Sequence, residues 1–290
     1  MLTMYFNLVV NGIVLGLVIG LAALALTLVY AVARFPNAAT GDMITVGAYA
    51  GIGVQVLGSR NTLLQGSAAI AACTILSVAY YWFVFRYLRG RGMVALLLTS
   101  IGLALFTRGI LSFFAGHEQF VFQIPLVEPY VIYGVIIQAS DLWLAVVALL
   151  SVVATFAILF LTPIGRRMRA VADNRDLARA SGIRAESVMI PLWGIVGAVS
   201  AIAGIILGIK TVVMPETGWL LLLPSFTAMI LGGLGSPIGA VLAGIALGVA
   251  QEVASPFVGF TYKIAVSFLV LLVLLIVRPQ GLFGSLEEVR

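Results

Sequence analysis

Nine long apolar stretches divide this chain, and the residues between them are too few to make a water-facing surface. The stretches are Leu8–Ala33, Met43–Leu57, Leu63–Phe85, Met93–Phe114, Leu142–Leu161, Val188–Ile209, Leu220–Leu234, Ile238–Val253 and Ile264–Val277. An α-helix rises about 1.5 Å per residue, so about 20 apolar residues cross the hydrocarbon core of a bilayer. The stretches near residues 43, 220 and 264 are short. If any of them is tilted, broken or re-entrant, the number of segments falls between eight and ten. Soluble domains carry roughly 25% charged residues, whereas this chain of 290 residues is 9% charged and 62% hydrophobic. That balance excludes disorder and disulfide scaffolds. A transmembrane β-barrel needs short alternating strands rather than continuous apolar runs. The expected fold is an all-α, polytopic membrane helical bundle forming a single domain over residues 1–290.

The first stretch has no basic residues before it and no obvious small-residue cleavage site after it. It reads as a retained membrane helix rather than a signal peptide. Small residues recur at four-residue spacing: Gly12, Gly16 and Gly20; Gly47 and Gly51; Gly204 and Gly208; Ala240, Gly244 and Gly248. Such spacing lets helix backbones approach closely in lipid, either within one chain or at a subunit interface.

The net charge of +5 does not point to nucleic acid, because the basic residues fall between apolar runs. Arg86, Arg89 and Arg91 share one loop, and Arg166, Arg167, Arg169, Arg175, Arg179 and Arg184 share another. The stretch between the two crossings that separate them, residues 115–141, has no Lys or Arg and carries Glu118, Glu128 and Asp141. Basic loops stay cytoplasmic, so if all nine stretches cross, the N-terminus is expected outside, with Arg34, Arg278 and the C-terminal tail inside. Arg60, Lys210 and Lys263 fall outside and run against the rule.

Catalytic equipment is sparse. There is no GxxxxGK[ST] loop, HExxH, CxxC or GxSxG, and the chain has one His and one Cys. Most nucleophilic and metal chemistry lacks its parts, so the chain is expected to be neither an enzyme nor a metal protein. Cys73 reads as a small buried residue, and His117 as a solvated loop residue.

Several polar groups interrupt the apolar runs. Thr40 and Asp42 open the second stretch, Tyr49 lies within it, and Thr99, Ser100, Thr107 and Arg108 lie in the fourth. A charge at membrane depth is expensive and normally faces protein, water or a counter-charge. Thr40, Asp42, Tyr49, Thr99, Ser100 and Arg108 are therefore candidates for a polar path, with capping or packing the alternative for Asp42. Glu252 reads either as interfacial or as a buried functional carboxylate. Gly232, Gly233, Gly235, Ser236 and Gly239 form a candidate turn or gate between late helices.

The loop 163–187 carries helix punctuation. Asn174 can cap a short helix, Asp176 suits its positive end, and Gly182 fits the position just past its end. Leu177, Ala178 and Ser181 are expected on one face. A helix this short is not stable alone and needs a surface to lie on. It serves either as an anchor loop or as a docking element.

Here the sequence resembles integral-membrane permeases of ATP-binding-cassette importers, whose coupling loop reads E-A-A-x-x-x-G. Asp176, Leu177, Ala178 and Gly182 stand at those positions, with Asp for Glu and Leu for the first Ala. Within that group, GRRMRAVADNRDLARASGI resembles the branched-chain amino-acid permease family. So do NAATGDMITVGAYAG (37–51), FTAMILGGLGSPIGAVLAG (226–244) and VRPQGLFG (277–284), in the same order along nearly the whole chain. Two positions depart: Ala38 stands where that family has Phe, and Thr40 where it has His or Gln. If this segment lines the path, the pocket is smaller and less basic. Without a long N-terminal extension, the chain looks like the smaller of the family's two paired permeases.

The resemblance implies a type II importer-like bundle in a bacterial-type inner membrane. It implies a second permease subunit, similar or identical, and two cytoplasmic ATPases that bind ATP and Mg, so that this chain carries no cofactor. It also implies an extracytoplasmic solute-binding protein. Asn174, Arg175, Asp176, Leu177, Ala178, Arg179, Ser181 and Gly182 become the expected ATPase contact. The cargo is then a branched-chain or related amino acid, with urea, amides, aromatic acids or another small solute as the alternative. A gradient-driven transporter or channel is the alternative of another class.

Overall fold

A computed structural model describes residues 2–59, 61–88, 90–124, 128–132, 135–259, 262–278 and 280–283. Arg60, Arg89, Pro279 and Gly284, all named above, lie outside the described residues. The helices are α1 (Leu2–Ala33), α2 (Ala39–Val56), α3 (Thr62–Tyr80, continued by a π-helical turn, Tyr81–Phe85), α4 (Met93–Ala115), α5 (Ala139–Leu161), α6 (Pro163–Asp173), α7 (Arg175–Ala180), α8 (Ala185–Lys210), α9 (Thr217–Gly232), α10 (Pro237–Val258) and α11 (Lys263–Val277). Each apolar stretch became one helix, with the π-helical turn completing the third. Six of these are long and apolar enough to cross a membrane, while α9 and α11 are shorter apolar helices. With 16 residues, α9 is about 24 Å long at 1.5 Å per residue.

The all-helical expectation holds for the bundle and is modified in one loop. Between α4 and α5, strands β1 (Tyr130–Ile132) and β2 (Val135–Ile137) pair antiparallel, with Tyr130 opposite Ile137. Phe120 makes a β-bridge with Val213, and Phe122 is buried with Ala48, Ile52 and Val213. The loop thus folds over the ends of α2 and α8. His117 and Glu118 within it are exposed.

Close helix contact explains the spaced glycines. In lipid there is no hydrophobic drive between helices, so packing and small residues must hold them together. The central helix, α1, runs antiparallel to α10. A Cβ on Gly248 would lie 2.3 Å from the Gly16 Cα, and one on Gly244 would lie 2.4 Å from the Gly20 Cα. On α8, a Cβ on Gly204 would meet the Ile44 carbonyl of α2 at 2.1 Å, and one on Gly197 the Cys73 carbonyl of α3 at 2.6 Å. These glycines are used inside the protomer. Cys73 is buried there too, its thiol donating to the Met43 carbonyl at 3.1 Å.

Gly248→Leu should therefore separate α1 from α10 at a cost of about 3 kcal/mol or more, the upper range for overpacking. Gly66→Leu, where nothing lies within 4 Å of the added Cβ, should leave the fold unchanged. The monodisperse fraction on size exclusion after mild heating measures both. A Gly248→Leu protein as stable as the Gly66→Leu protein would contradict this packing.

The two ends of the bundle differ in charge. At one end lie α6 and α7, and Arg34 at the end of α1 donates to the Ala172 carbonyl there. The exposed Arg166, Arg167, Arg169, Arg175 and Arg179 lie on α6 and α7, and the exposed Arg86, Arg91 and Arg184 stand just outside the ends of α3, α4 and α8. At the other end, Lys210 pairs with Asp141 at 2.8 Å and Lys263 with Glu252 at 2.6 Å. Both lysines that ran against the charge rule are thus neutralised by a neighbouring carboxylate. Glu252, open to two readings from sequence, is one of those partners.

Candidate functional site

The basic end is built by two consecutive short helices. Thr162 starts α6: its hydroxyl accepts from the Gly165 amide at 3.1 Å, and Pro163 follows at the first helical position. Proline is preorganised there and has no N–H to lose. Gly165 makes the reversal from α5 possible, since a Cβ would fall 2.2 Å from the Ile158 and Leu159 carbonyls. Helix α6 buries Gly165, Met168 and Val171 and turns Arg166, Arg167 and Arg169 outward. It lies flat on the bundle with one apolar stripe, as an interfacial helix does.

Asn174 ends α6 and caps α7. Its Oδ1 accepts from the Asp176 amide at 3.0 Å and the Leu177 amide at 2.9 Å. Asp176 sits in the first turn of α7 and Arg179 in the last, each favourable to the helix dipole. Gly182 follows at φ +80°, in the left-handed region. Around it, the Gly182 amide donates to the Arg179 carbonyl at 3.0 Å and the Ile183 amide to the Ala178 carbonyl at 2.9 Å. The expected common face of Leu177, Ala178 and Ser181 is not present. Ala178 is buried against the bundle, whereas Leu177 and Ser181 are exposed. Adjacent helical residues stand about 100° apart, so Ala178 anchors α7 while Leu177 points away from it. Arg175 and Asp176 are also exposed.

The second constellation lies where α2, α4 and α9 meet. Arg108 on α4 grips Asp42 on α2 with both ends of its fork: Nε to Oδ1 at 3.1 Å and Nη2 to Oδ2 at 3.2 Å. This bidentate geometry is the strong form of the pair. The guanidinium also lies over the Trp219 ring of α9, 4.6 Å from its centre. Asp42 is fully buried, while the Arg108 side chain keeps 17% of its surface exposed. Ser100 accepts from the Ala38 amide at 3.0 Å, closing the start of α2, and Thr107 bonds the Tyr80 hydroxyl of α3. Helix α4 buries only Ser100, Ala104 and Thr107, so these polar contacts add to the packing of Leu96, Ile101, Leu103 and Ala104 in holding it to the bundle.

The other path candidates divide by position. Thr40 is fully buried inside the protomer. Tyr49 is half-buried and meets Phe120 edge-on at 5.9 Å. Thr99 is half-buried and donates to its own helix at Ala95. Asp42 and Arg108 therefore meet at the junction with α9, Ser100 ties α4 to the start of α2, and Tyr49 lies apart beside Phe120.

The Gly-rich stretch 232–239 is a tight turn. Gly233 and Gly235 have φ of +100° and +88°. The Ser236 hydroxyl caps α10 by accepting from the Gly239 amide at 3.2 Å. A Cβ on Gly232 would lie 2.2 Å from Gly239. Part of the C-terminal stretch seats here: the Leu282 amide donates to the Leu231 carbonyl at 2.8 Å, and Gly281 packs against Gly233.

Sequence reasoning missed two features. It left α6 unassigned, although Thr162-Pro163 followed by small or apolar residues at 165, 168 and 171 signals a capped amphipathic helix. It also left Asp42 and Arg108 unpaired, although opposite charges in two apolar segments are a prior for a buried ion pair.

An apolar helical bundle with a capped, exposed helical turn at one end is a polytopic membrane protein of the all-α class. Comparison with known proteins makes the class specific. The family profile described as "Branched-chain amino acid transport system / permease component" matches residues 8–277, and the chain belongs to that family. It is 28% identical to the high-affinity branched-chain amino acid transport system permease protein LivH of Salmonella typhimurium, over 96% of this chain and 94% of that one. It is 29% identical to the corresponding protein BraD of Pseudomonas aeruginosa, over 98% and 97%. An inward-facing ABC transporter of the metal-chelate type shares the fold, with a TM-score of 0.51 and 15% identity over 91% of this chain and 82% of its own.

Proposed function

We propose that this subunit forms half of an importer for branched-chain or related amino acids. A second permease subunit completes the path, two ATP-binding subunits dock at the α6–α7 end, and a solute-binding protein delivers cargo to the opposite end. ATP and Mg are bound by the ATPases, and the permease converts their closure into alternating access. The observation that carries this reading is α7. Asn174 and Gly182 fix its two ends, Ala178 anchors it, and Leu177 is left 66% exposed. An exposed leucine between Arg175 and Arg179 on a preorganised turn fits a partly apolar cleft with an acidic rim. The arginine-rich end is then cytoplasmic and the end with the paired lysines outside, in the inner (plasma) membrane. The Gly232–Gly239 turn, held by Gly281 and Leu282, serves as a fixed corner between α9 and α10.

The test is uptake into reconstituted vesicles containing this chain and its partner subunits, each left out in turn, with labelled leucine, an amide, urea and an aromatic acid offered. Leucine uptake that requires ATP, both ATPases and the binding protein is expected. Preference for another label would move the cargo within the same mechanism. Uptake by this chain alone, driven by a gradient, would overturn the importer reading.

A further inference from the structure

A cavity of about 280 Å³ opens at the arginine-rich end, between the α1–α2 turn, the π-helical turn, the start of α4, α7 and α8. Its wall is aromatic. Phe85 stacks on Trp193 at 4.9 Å between ring centres, Tyr81 lies 6.2 Å from the same Trp193, and Phe35 lies 5.0 Å from Phe85. Three arginines line it, Arg34, Arg91 and Arg175, each from a different part of the chain, and no carboxylate lies among the lining residues described. Arg34 is the one described non-glycine residue with a positive φ, +61°. An L-residue resists that conformation. It ends α1 sharply and sets the guanidinium against the Ala172 carbonyl, beside the cavity.

Three positive charges around an apolar wall, with no counter-charge among the described lining residues, select an anion that carries apolar bulk. The volume is at the small end for ligand sites and suits a headgroup rather than a whole lipid. Met93 and Leu96 of α4 continue the lining, and Met93 and Val94 are exposed. They offer an apolar track from the cavity toward the bilayer. Basic pockets between helices on the cytoplasmic side have the chemistry that binds anionic headgroups.

We propose that this cavity binds the phosphate headgroup of an anionic membrane lipid, held by Arg91 and Arg175 and bordered by Arg34. The lipid would then bridge α4 to α7 and brace the coupling turn against the membrane helices. The proposal rests on the cytoplasmic placement of this end, but its test is direct binding and needs no transport.

The whole transporter is purified in neutral detergent, and retained lipid is measured by native mass spectrometry after exchange with equimolar phosphatidylglycerol and phosphatidylcholine. The intact complex should retain phosphatidylglycerol about tenfold over phosphatidylcholine, a difference of about 1.4 kcal/mol. Arg91→Gln with Arg175→Gln should bring the ratio near one, whereas Arg91→Lys with Arg175→Lys should keep most of it. Arg166→Gln with Arg167→Gln, on the outer face of α6, should leave it unchanged. Size exclusion reports whether each variant keeps its ATPase subunits. A ratio near one in the intact complex overturns the proposal. So does an equal loss in the α6 variant, which would mean diffuse surface charge. Inorganic phosphate that displaces the lipid at equal concentration would make the ligand a free anion and overturn the lipid assignment. Loss of the ATPase subunits from the Gln variant, with the lipid ratio intact, would make the cavity a protein contact instead.

Discussion

Removing Asp42 or Arg108 alone should destabilise this permease more than removing both. Asp42 is fully buried, and each of its oxygens accepts from the Arg108 fork. Asp42→Leu leaves a guanidinium inside the bundle with only Trp219 beside it, and Arg108→Leu leaves a carboxylate with no counter-charge. Breaking a buried pair from one side costs about 3–5 kcal/mol, whereas replacing both partners by apolar residues is often neutral. At roughly 2–4 °C per kcal/mol for a chain of this size class, each single variant should lose on the order of 10 °C in apparent melting temperature. The double Leu variant should recover most of it, as read by size exclusion after heating. Additive losses would remove the pair as the clamp between α2 and α4. Uptake then separates structure from transport. A stable double variant that carries no cargo would show that the exposed edge of Arg108 also serves the path. A stable double variant with normal uptake would make the junction purely structural.

How far this arrangement was legible in sequence varies by element. All nine apolar helices could be read, because hydropathy and helix rise set length directly. The end of α7 was legible as well, since capping and left-handed conformations demand particular side chains, here Asn174 and Gly182. The use of Gly16 and Gly248 was not. Four-residue spacing shows that a face is smooth but does not show what meets it, and only the fold brings α1 against α10. The same limit hid the three-helix junction. Asp42, Arg108 and Trp219 are far apart in the chain, and nothing local to any of them names the others. The opposite reading of Lys210 and Lys263 had a similar cause. A charge count treats each lysine as free, whereas Asp141 and Glu252 cancel them through tertiary contacts. The composition of α6, rich in arginine, masked its apolar stripe of Gly165, Met168 and Val171.

Gly182→Val should uncouple ATP hydrolysis from transport while leaving the bundle folded. Nothing lies within 4 Å of a Cβ at this position, so no clash inside the protomer follows. The cost comes from the backbone alone, because φ is +80°. A β-branched residue resists that conformation, and relief requires the turn after α7 to open. The bonds from the Gly182 amide to Arg179 and from the Ile183 amide to Ala178 would be lost first. A helix of six residues has no stability of its own, so losing its C-terminal closure shifts Leu177 and Arg179 from their positions. The loss of about 1–2 kcal/mol falls on one surface turn, and the melting temperature should change by only a few degrees. Cargo-stimulated ATPase activity of the assembled complex should fall about tenfold, the factor that 1.4 kcal/mol of misplacement commands. Gly182→Asn gives the decisive comparison, since Asn tolerates the left-handed region and ends helices there. It should retain most of the stimulation. If Val retains it too, α7 does not transmit the ATPase stroke. If Asn is as damaging as Val, the constraint is space for a side chain against the ATPase rather than the path of the backbone.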